Sequence, residues 1–590
     1  MKLSDYVALF LKSKDVKTVF AITGGASIHF IHSITETPGI DLVCPLHEQA
    51  GAMAADGYSR MSGKMGAAIA TSGPGATNLL TGICGAYYDS VPVWYITGQV
   101  ATFRMSGDTG VRQIGFQETD IIDICKSVTN YAVQISNAND IRYELEKAYY
   151  LANYGRPGPV LIDIPDNIGR EEIDTEKIRG FQPPMSELVP RDFSVDKINE
   201  CLRLIKNAKR PILILGWGIH LSNAYKEINI FIKKLGFPVA PTWAIAHILP
   251  SDHPLYIGTF GTHGTRYANF AVQNSDLVLA IGTRLDTKAT GSPITTFARA
   301  AKKIVVDIDS KELKKFNKFG LTIDLLIQSD AKLFLHAINK HKIQTDKVSI
   351  SKWIDQINEW KNKYQICPPE YYKEKGVNPY VFVKTLSSEL TANQTIFVDT
   401  GCTVAWIMQA FEFKANQRLF HDFNNTAMGW ALPASIGACF STNKKPIIAV
   451  IGDGSLMMNI QELATITKHK LPIKIFLLNN RGYSMVKQTQ EQWLNSKYYA
   501  TSVTGGLPDL NFVNISQAFG ILTKKVTTNN ELKKVIREVL ELPGPVFCNV
   551  EISPKHRVIP QVKFGKPNED PEPFLPRDEF FKNMIIEPLE

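Results

Sequence analysis

The chain has 590 residues, 44% of them hydrophobic and 21% charged, and carries a net charge of +8. The length exceeds one ordinary core and, at roughly 100–200 residues per domain, predicts three or four domains, while the composition excludes a disordered or collagen-like chain. The lysines are scattered, with no basic block and no zinc-type Cys/His spacing, which argues against nucleic-acid binding.

In chain order, residues 1 to 175 alternate helical patterns with apolar strands such as Val19-Phe20-Ala21-Ile22, Ala67-Ala68-Ile69-Ala70 and Val160-Leu161-Ile162-Asp163-Ile164. A proline-rich passage from Phe181 to Arg191 reads as a linker. Residues 190 to 345 hold the strands Pro211 to Leu215, Leu277 to Ile281 and Ile304 to Ile308, and a lysine-rich stretch at about 340–375 follows. Residues 376 to 553 return to the alternation, with strands at Thr395 to Val398, Ile447 to Ile451, Ile473 to Leu478 and Val546 to Val550. The tail, 556 to 590, is rich in proline and charge and predicts an extended arm with one short helix. The fold class is therefore α/β, with three doubly wound parallel-sheet domains. Eight cysteines stand singly, as reduced thiols of a cytoplasmic protein do. Neither a signal segment nor an apolar run of about 18 residues occurs, so no membrane is expected.

The most informative stretch is Gly452-Asp453-Gly454, followed after one helix (459–469) and one strand by Asn479-Asn480. Both ends emerge at the carboxyl edge of a parallel sheet, where open α/β sheets bind ligands. Asp453 offers a carboxylate oxygen and Asn480 an amide oxygen, hard ligands for Mg²⁺ or Ca²⁺, and a magnesium ion so held completes its shell with water and phosphate. Gly454 and Ser455 turn backbone N–H groups toward such a phosphate. Two ordinary turns are the plain alternative.

This spacing resembles the signature of thiamine diphosphate (ThDP) enzymes, and the resemblance extends along nearly the whole chain. It implies Mg²⁺ held by Asp453, Asn480 and the carbonyl of Gly482, with Gly401, Cys402 and Thr403 on the diphosphate. Within Asn425-Thr426-Ala427-Met428-Gly429, Thr426 and Met428 would support the bent cofactor, unless Met428 only fills the core. Glu48, at the start of a small-residue helix, would hydrogen-bond the aminopyrimidine ring and so assist removal of the thiazolium C2 proton; taken alone it reads equally as a helix N-terminal charge. Gly73 to Asn78 would lie near the pyrimidine, and Phe116 and Gln117 near the substrate. Because one subunit's glutamate meets another's diphosphate domain in this family, a homodimer or homotetramer is implied. The middle block resembles the acetolactate synthase branch, which holds FAD at positions matching Gly216, Gly218, His263, Gly264, Thr265, Thr283, Arg284 and Asp307. Of these, Arg284 suits a diphosphate by bidentate pairing.

Three departures separate the chain from acetolactate synthases. Asp166 stands where they carry a lysine, Thr489 where they carry a tryptophan that helps select the acceptor, and Cys402-Thr403 where they usually have Gln-His. The tail resembles ThDP carboligases that branch nucleotide-linked deoxysugars. The implied activity is decarboxylation of a 2-oxo acid, pyruvate, with transfer of the two-carbon acyl-anion unit to a carbonyl acceptor such as a nucleotide-linked keto-deoxysugar. Acetolactate synthesis from two 2-oxo acids is the alternative, and a non-catalytic binding or regulatory protein of the same fold is the alternative of another class.

Overall fold

The computed structural model describes residues 1–184 and 194–589, so residues 185–191 of the expected linker lie outside the described residues. The first sheet comprises β1 (Thr18–Ala21), β2 (Asp41–Val43), β3 (Gly66–Ala70), β4 (Val93–Gln99), β5 (Tyr131–Gln134) and β6 (Val160–Pro165), in the order β2-β1-β3-β4-β6-β5. The second comprises β7 (Pro211–Leu215), β8 (Val239–Pro241), β9 (Leu277–Ile281), β10 (Lys302–Asp307) and β11 (Leu325–Gln328), in the order β11-β10-β9-β7-β8. The third comprises β12 (Thr395–Val398), β13 (Arg418–Phe420), β14 (Ile447–Gly452), β15 (Ile473–Asn479), β16 (Leu522–Val526) and β17 (Val546–Glu551), in the order β13-β12-β14-β15-β17-β16. Every pairing between these strands is parallel. Helices cover both faces, so central strands such as β7 and β9 are apolar and buried at every position.

The first and third sheets repeat one topology. In each, the second strand pairs on one side of the first and the third strand on the other, which opens a switch point at the carboxyl edge. These two domains meet through the helices Glu48–Ser62 and Ala431–Ser441. The helix backbones touch: a Cβ on Gly57 would stand 2.2 Å from the Ala434 carbonyl oxygen, and one on Gly437 1.8 Å from that of Ala54.

Two segments refine the expectation from sequence. The helix expected over 459–469 begins only at Glu462, after a short turn of helix at Asp453–Leu456. Between them the Asn459 side chain donates to the Gly429 carbonyl at 2.9 Å and accepts from Gln49 Nε2 at 3.3 Å, so it serves tertiary contacts instead of a helical turn. The lysine-rich stretch contains the helix Lys347–Lys363, which buries Ile350, Trp353, Ile357 and Trp360. The tail is an arm ending in the helix Arg577–Asn583. Val562 N–H donates to the Thr262 carbonyl at 2.9 Å, and the buried Glu569 accepts from Arg299 Nη1 at 2.5 Å, which seats the arm on the central domain. Among the described residues no helix is long and apolar enough to cross a membrane.

Gly437→Val forces the two helix backbones apart. We expect it to destabilise the protein by at least about 1–3 kcal/mol, the range of overpacked cores, read as a fall in thermal midpoint. Gly376→Ala, whose Cβ meets nothing within 4 Å, should leave the midpoint unchanged.

Candidate active site

At the edge of the third sheet three neighbouring strands deliver one cluster. Residues Gly401 to Thr403 follow β12, Asp453 follows β14 and Asn480 follows β15, with Gly452 in register with Leu478. Asp453 is 6% exposed; its Oδ1 accepts from Gly454 N at 3.0 Å and its Oδ2 from Gly482 N at 2.9 Å. Burial pushes this carboxyl up to about 6, against those backbone hydrogen bonds and one from Arg481, a cost that a cation at this edge removes. The Oδ1 of Asn480 is buried and has no hydrogen-bond partner. A carboxylate, a bare amide oxygen and the adjacent Gly482 backbone form a donor set of the kind magnesium takes. Among the described residues no group of three or more His, Cys, Asp or Glu could hold a metal ion.

The supports of this edge are specific. Gly454 admits the ring of Tyr483, whose Cε1 would lie 2.0 Å from a Cβ there. Ser455, Cys402 and Thr403 are buried beside it, and Gly401 has φ +76°, a left-handed turn that glycine tolerates. Asp399 was not singled out from the sequence, although it directly follows the apolar β12. It accepts from Gly429 N at 3.0 Å and Ala431 N at 2.9 Å, tying the loop of Thr426 and Met428 to the sheet. Thr426 has φ +53°, and Met428 is half-buried, outside the hydrophobic core.

The equivalent edge of the first sheet carries Glu48. Its Oε2 accepts from Asn78 Nδ2 at 3.0 Å, and its Oε1 would lie 3.4 Å from a Cβ on Gly75. Gly73 has φ +62°, and a Cβ there would stand 3.0 Å from the Gln117 carbonyl oxygen, so Glu48, the glycine turn and Gln117 converge. Gln117 has φ +65° and Phe116 is 86% exposed. Glu118 shapes this loop by accepting from Ser106 N at 2.5 Å, Ile114 N at 2.8 Å and Gly115 N at 3.2 Å. Behind it the buried Asp163 accepts from Thr97 Oγ1 at 2.6 Å and Gln134 Nε2 at 2.8 Å; burial pushes its carboxyl up to about 6 despite these bonds. Asp166 opens the short helix after β6, 3.5 Å from Arg170 and 3.8 Å from His29. Within one chain, Leu46 N–H donates to Glu462 Oε1 at 2.9 Å and so ties the approach to Glu48 to the third domain. Among the described residues, no hydrogen bond joins Glu48 itself to the Asp453 edge.

The central sheet opens at its own switch point, between β7 and β9, into a cleft. Gly218, His263, Thr283, Arg284 and Asp307 line it. Gly216 instead lets the loops meet, since a Cβ there would lie 2.3 Å from the Gly282 carbonyl oxygen. Gly264 packs on Phe260, and Thr265 caps the helix Arg266–Gln273 by accepting from Ala268 N at 3.3 Å, so neither lines the cleft. Both ring nitrogens of His263 and the indole nitrogen of Trp217 are buried without partners. Burial, then Lys288, push the His263 imidazole down to about 3, which keeps it neutral. Lys288, Nζ 3.7 Å from the centre of the Trp243 ring, and Arg156 also line the cleft and were not recognised from sequence. Arg156 lies in a Gly-Arg-Pro-Gly turn of the first domain, and only the fold brings it here, Nη1 2.8 Å from Glu312 Oε1. Unpaired ring nitrogens and three cations lining one cleft fit a dinucleotide cofactor such as FAD.

Comparison with known proteins identifies the family of the chain. Residues 1–124 match the N-terminal TPP binding domain of thiamine pyrophosphate enzymes, residues 198–338 their central domain and residues 399–550 their C-terminal TPP binding domain. The chain is 35% identical to acetolactate synthase 3, chloroplastic, of Brassica napus, over 95% of this chain and 85% of that one. It is 35% identical to the chloroplastic acetolactate synthase of Arabidopsis thaliana, over 95% and 83%. Against the acetolactate synthase large subunit of Cyanidium caldarium it is 34% identical, over 95% of each chain. The chain is thus a thiamine diphosphate-dependent enzyme of the acetolactate synthase-like family.

Proposed function

We propose that this enzyme decarboxylates pyruvate and transfers the resulting two-carbon unit to a carbonyl acceptor larger than a second 2-oxo acid, a nucleotide-linked keto-deoxysugar. Thiamine diphosphate, when bound, supplies the electron sink for loss of CO₂. The observation that carries the cofactor assignment is the buried, unpartnered Oδ1 of Asn480 beside Asp453. In this reading Asp453, Asn480 and the Gly482 carbonyl hold Mg²⁺. Gly401, Cys402, Thr403, Gly454 and Ser455 line the diphosphate, and Thr426 and Met428 support the ring system. Glu48, oriented by Asn78, protonates the aminopyrimidine, while Gly73 leaves room for Gln117 to orient the acceptor beside Phe116. Residues Gly218, His263, Thr283, Arg284 and Asp307 hold FAD in a non-redox role, with Gly216, Gly264 and Thr265 shaping the loops around it.

Two features favour a large acceptor. Thr489 is small, and the helix Ser484–Trp493 that carries it forms, with the C-terminal arm, an open cleft lined by Gln488, Glu491, Trp493, Gln561, Lys563, Phe564, Glu572 and Phe574. Its flat aromatic faces and amides suit a nucleotide base, while Lys563 is paired with Glu572 at 2.5 Å. The names of the relatives favour the second reading, acetolactate synthesis from two 2-oxo acids. A second copy of the chain completes the site. Leu46, Phe103, Ile114 and Phe116 leave an apolar surface exposed around the Glu48 edge, which a partner's diphosphate domain covers in a homodimer or in a homotetramer of two such pairs. The eight free cysteines suit a reducing compartment such as the cytoplasm.

Glu48→Gln should lower the rate of CO₂ release from pyruvate by about 10²–10⁴-fold, the usual worth of a positioned acid–base group, with ThDP still bound; unchanged turnover removes Glu48 from the reaction. Incubation with ThDP, Mg²⁺ and pyruvate should give little acetolactate, and CO₂ release should rise when a nucleotide-linked keto sugar is added. Abundant acetolactate from pyruvate alone establishes the second reading instead. The purified protein should show flavin absorbance after incubation with FAD and gel filtration, and Arg284→Ala should weaken FAD binding about tenfold or more, as loss of a charge-assisted hydrogen bond does.

A further inference from the structure

The helix Ser484–Trp493 carries a lysine, Lys487, in its first turn. Lys487 is 3% exposed. Its side chain folds back over the backbone of Gly482, so that a Cβ built there would lie 2.9 Å from Nζ and 3.3 Å from Cε. Among the described residues the ammonium makes no hydrogen bond and no ion pair, and Arg557, Asp453, Cys402 and Glu491 are among the groups whose charge bears on it. Glu491 is engaged elsewhere, its Oε1 accepting from Arg557 Nη2 at 2.6 Å and from the Tyr498 hydroxyl at 2.8 Å. Asp453 is engaged by Gly454 and Gly482.

A buried ammonium without a partner is costly, and such groups are retained where a ligand supplies the missing charge. The groups around Nζ indicate which charge. Asp453 and the bare Asn480 Oδ1 offer a cation site, and Cys402 and Thr403 open the helix Cys402–Ala410, whose first N–H groups are free. A metal ion and an ammonium repel each other unless an anion lies between them. A diphosphate ester is such an anion, and a single divalent ion leaves part of its charge unneutralised.

We propose that Lys487 is a second cation of the diphosphate site, donating to phosphate oxygens from the side of Gly482 while the metal holds them from the side of Asp453 and Asn480. The inference rests on the ThDP reading of this edge and deepens it. It also accounts for Cys402-Thr403: neither side chain brings positive charge to the start of its helix, and the lysine on the facing helix does so instead.

Binding of ThDP and of inorganic diphosphate, each with saturating Mg²⁺, should be measured by calorimetry on the full-length wild type, Lys487→Met and Lys487→Arg, with the thermal midpoint of each ligand-free protein. Removing an unpaired buried charge should leave ligand-free Lys487→Met at least as thermostable as the wild type, a result that a merely structural lysine would not give. The dissociation constants of both ligands should rise by about ten- to a hundredfold, the worth of one charge-assisted hydrogen bond, and Lys487→Arg should recover most of the loss. Equal affinity of wild type and Lys487→Met for both ligands overturns the proposal, as does weaker binding that follows a fall in ligand-free stability. Lys487→Gln serves the same comparison if Lys487→Met does not fold. A wild type that binds neither ligand instead overturns the cofactor reading, and the proposal with it.

Discussion

The guanidinium of Arg60 is the point on which the two cofactor-binding halves hinge. It is 1% exposed; its Nε donates to Asp56 Oδ1 at 3.0 Å, its Nη1 to the His421 carbonyl at 3.0 Å, and its Nη2 lies 2.9 Å from Asp89 Oδ2. Asp56 also accepts from the Trp430 indole at 2.6 Å, and Asp89 accepts from Phe423 N at 3.0 Å and Asn424 N at 3.0 Å. These bonds cross from the first domain to the loop and helix of the third that carry Thr426 and Met428. Breaking one partner of a buried pair of this kind costs about 3–5 kcal/mol, because the remaining charge stays in a low dielectric. The network therefore fixes orientation, and the glycine contacts of the helices Glu48–Ser62 and Ala431–Ser441 bring the two domains close enough for it to form.

The same logic of buried charge runs through the candidate site. Asp453, Asp163 and Asp399 are all buried carboxyls raised by desolvation, yet their settings differ. The oxygens of Asp163 and Asp399 are bonded by neighbouring side chains and backbone N–H groups, which makes them organisers of loops. Asp453 lies beside an amide oxygen with no partner, the setting on which its proposed role as a metal ligand rests. Chemical type does not separate the three; what their neighbours leave unsatisfied does.

The central cleft follows a parallel rule. Its walls meet backbone to backbone at Gly216, Gly218 and Gly282, and that closeness leaves His263 and Trp217 lining a space that no protein donor or acceptor fills. Arg156 of the first domain, and Arg284 through Asn424 of the third, reach into it, so this cleft too belongs to all three domains.

By itself the sequence determined the α/β class, most of the central strands and which residue types stand at the Asp453–Asn480 edge, because continuous apolar runs and residue types at strand ends are local properties. The edge strands β2, β5, β8, β11, β13 and β16 were not legible: they are short or half-exposed and lack such runs. Nor were Asp399, Arg156 and Lys487 legible as members of a site. Each is an ordinary charged residue in its own segment and acquires meaning from neighbours 30 residues or more away or from a helix folding back on its own loop. The tertiary structure alone decided which of the many carboxylates and cations are buried, which are already paired and which still lack a partner, since burial and pairing depend on how the three sheets pack.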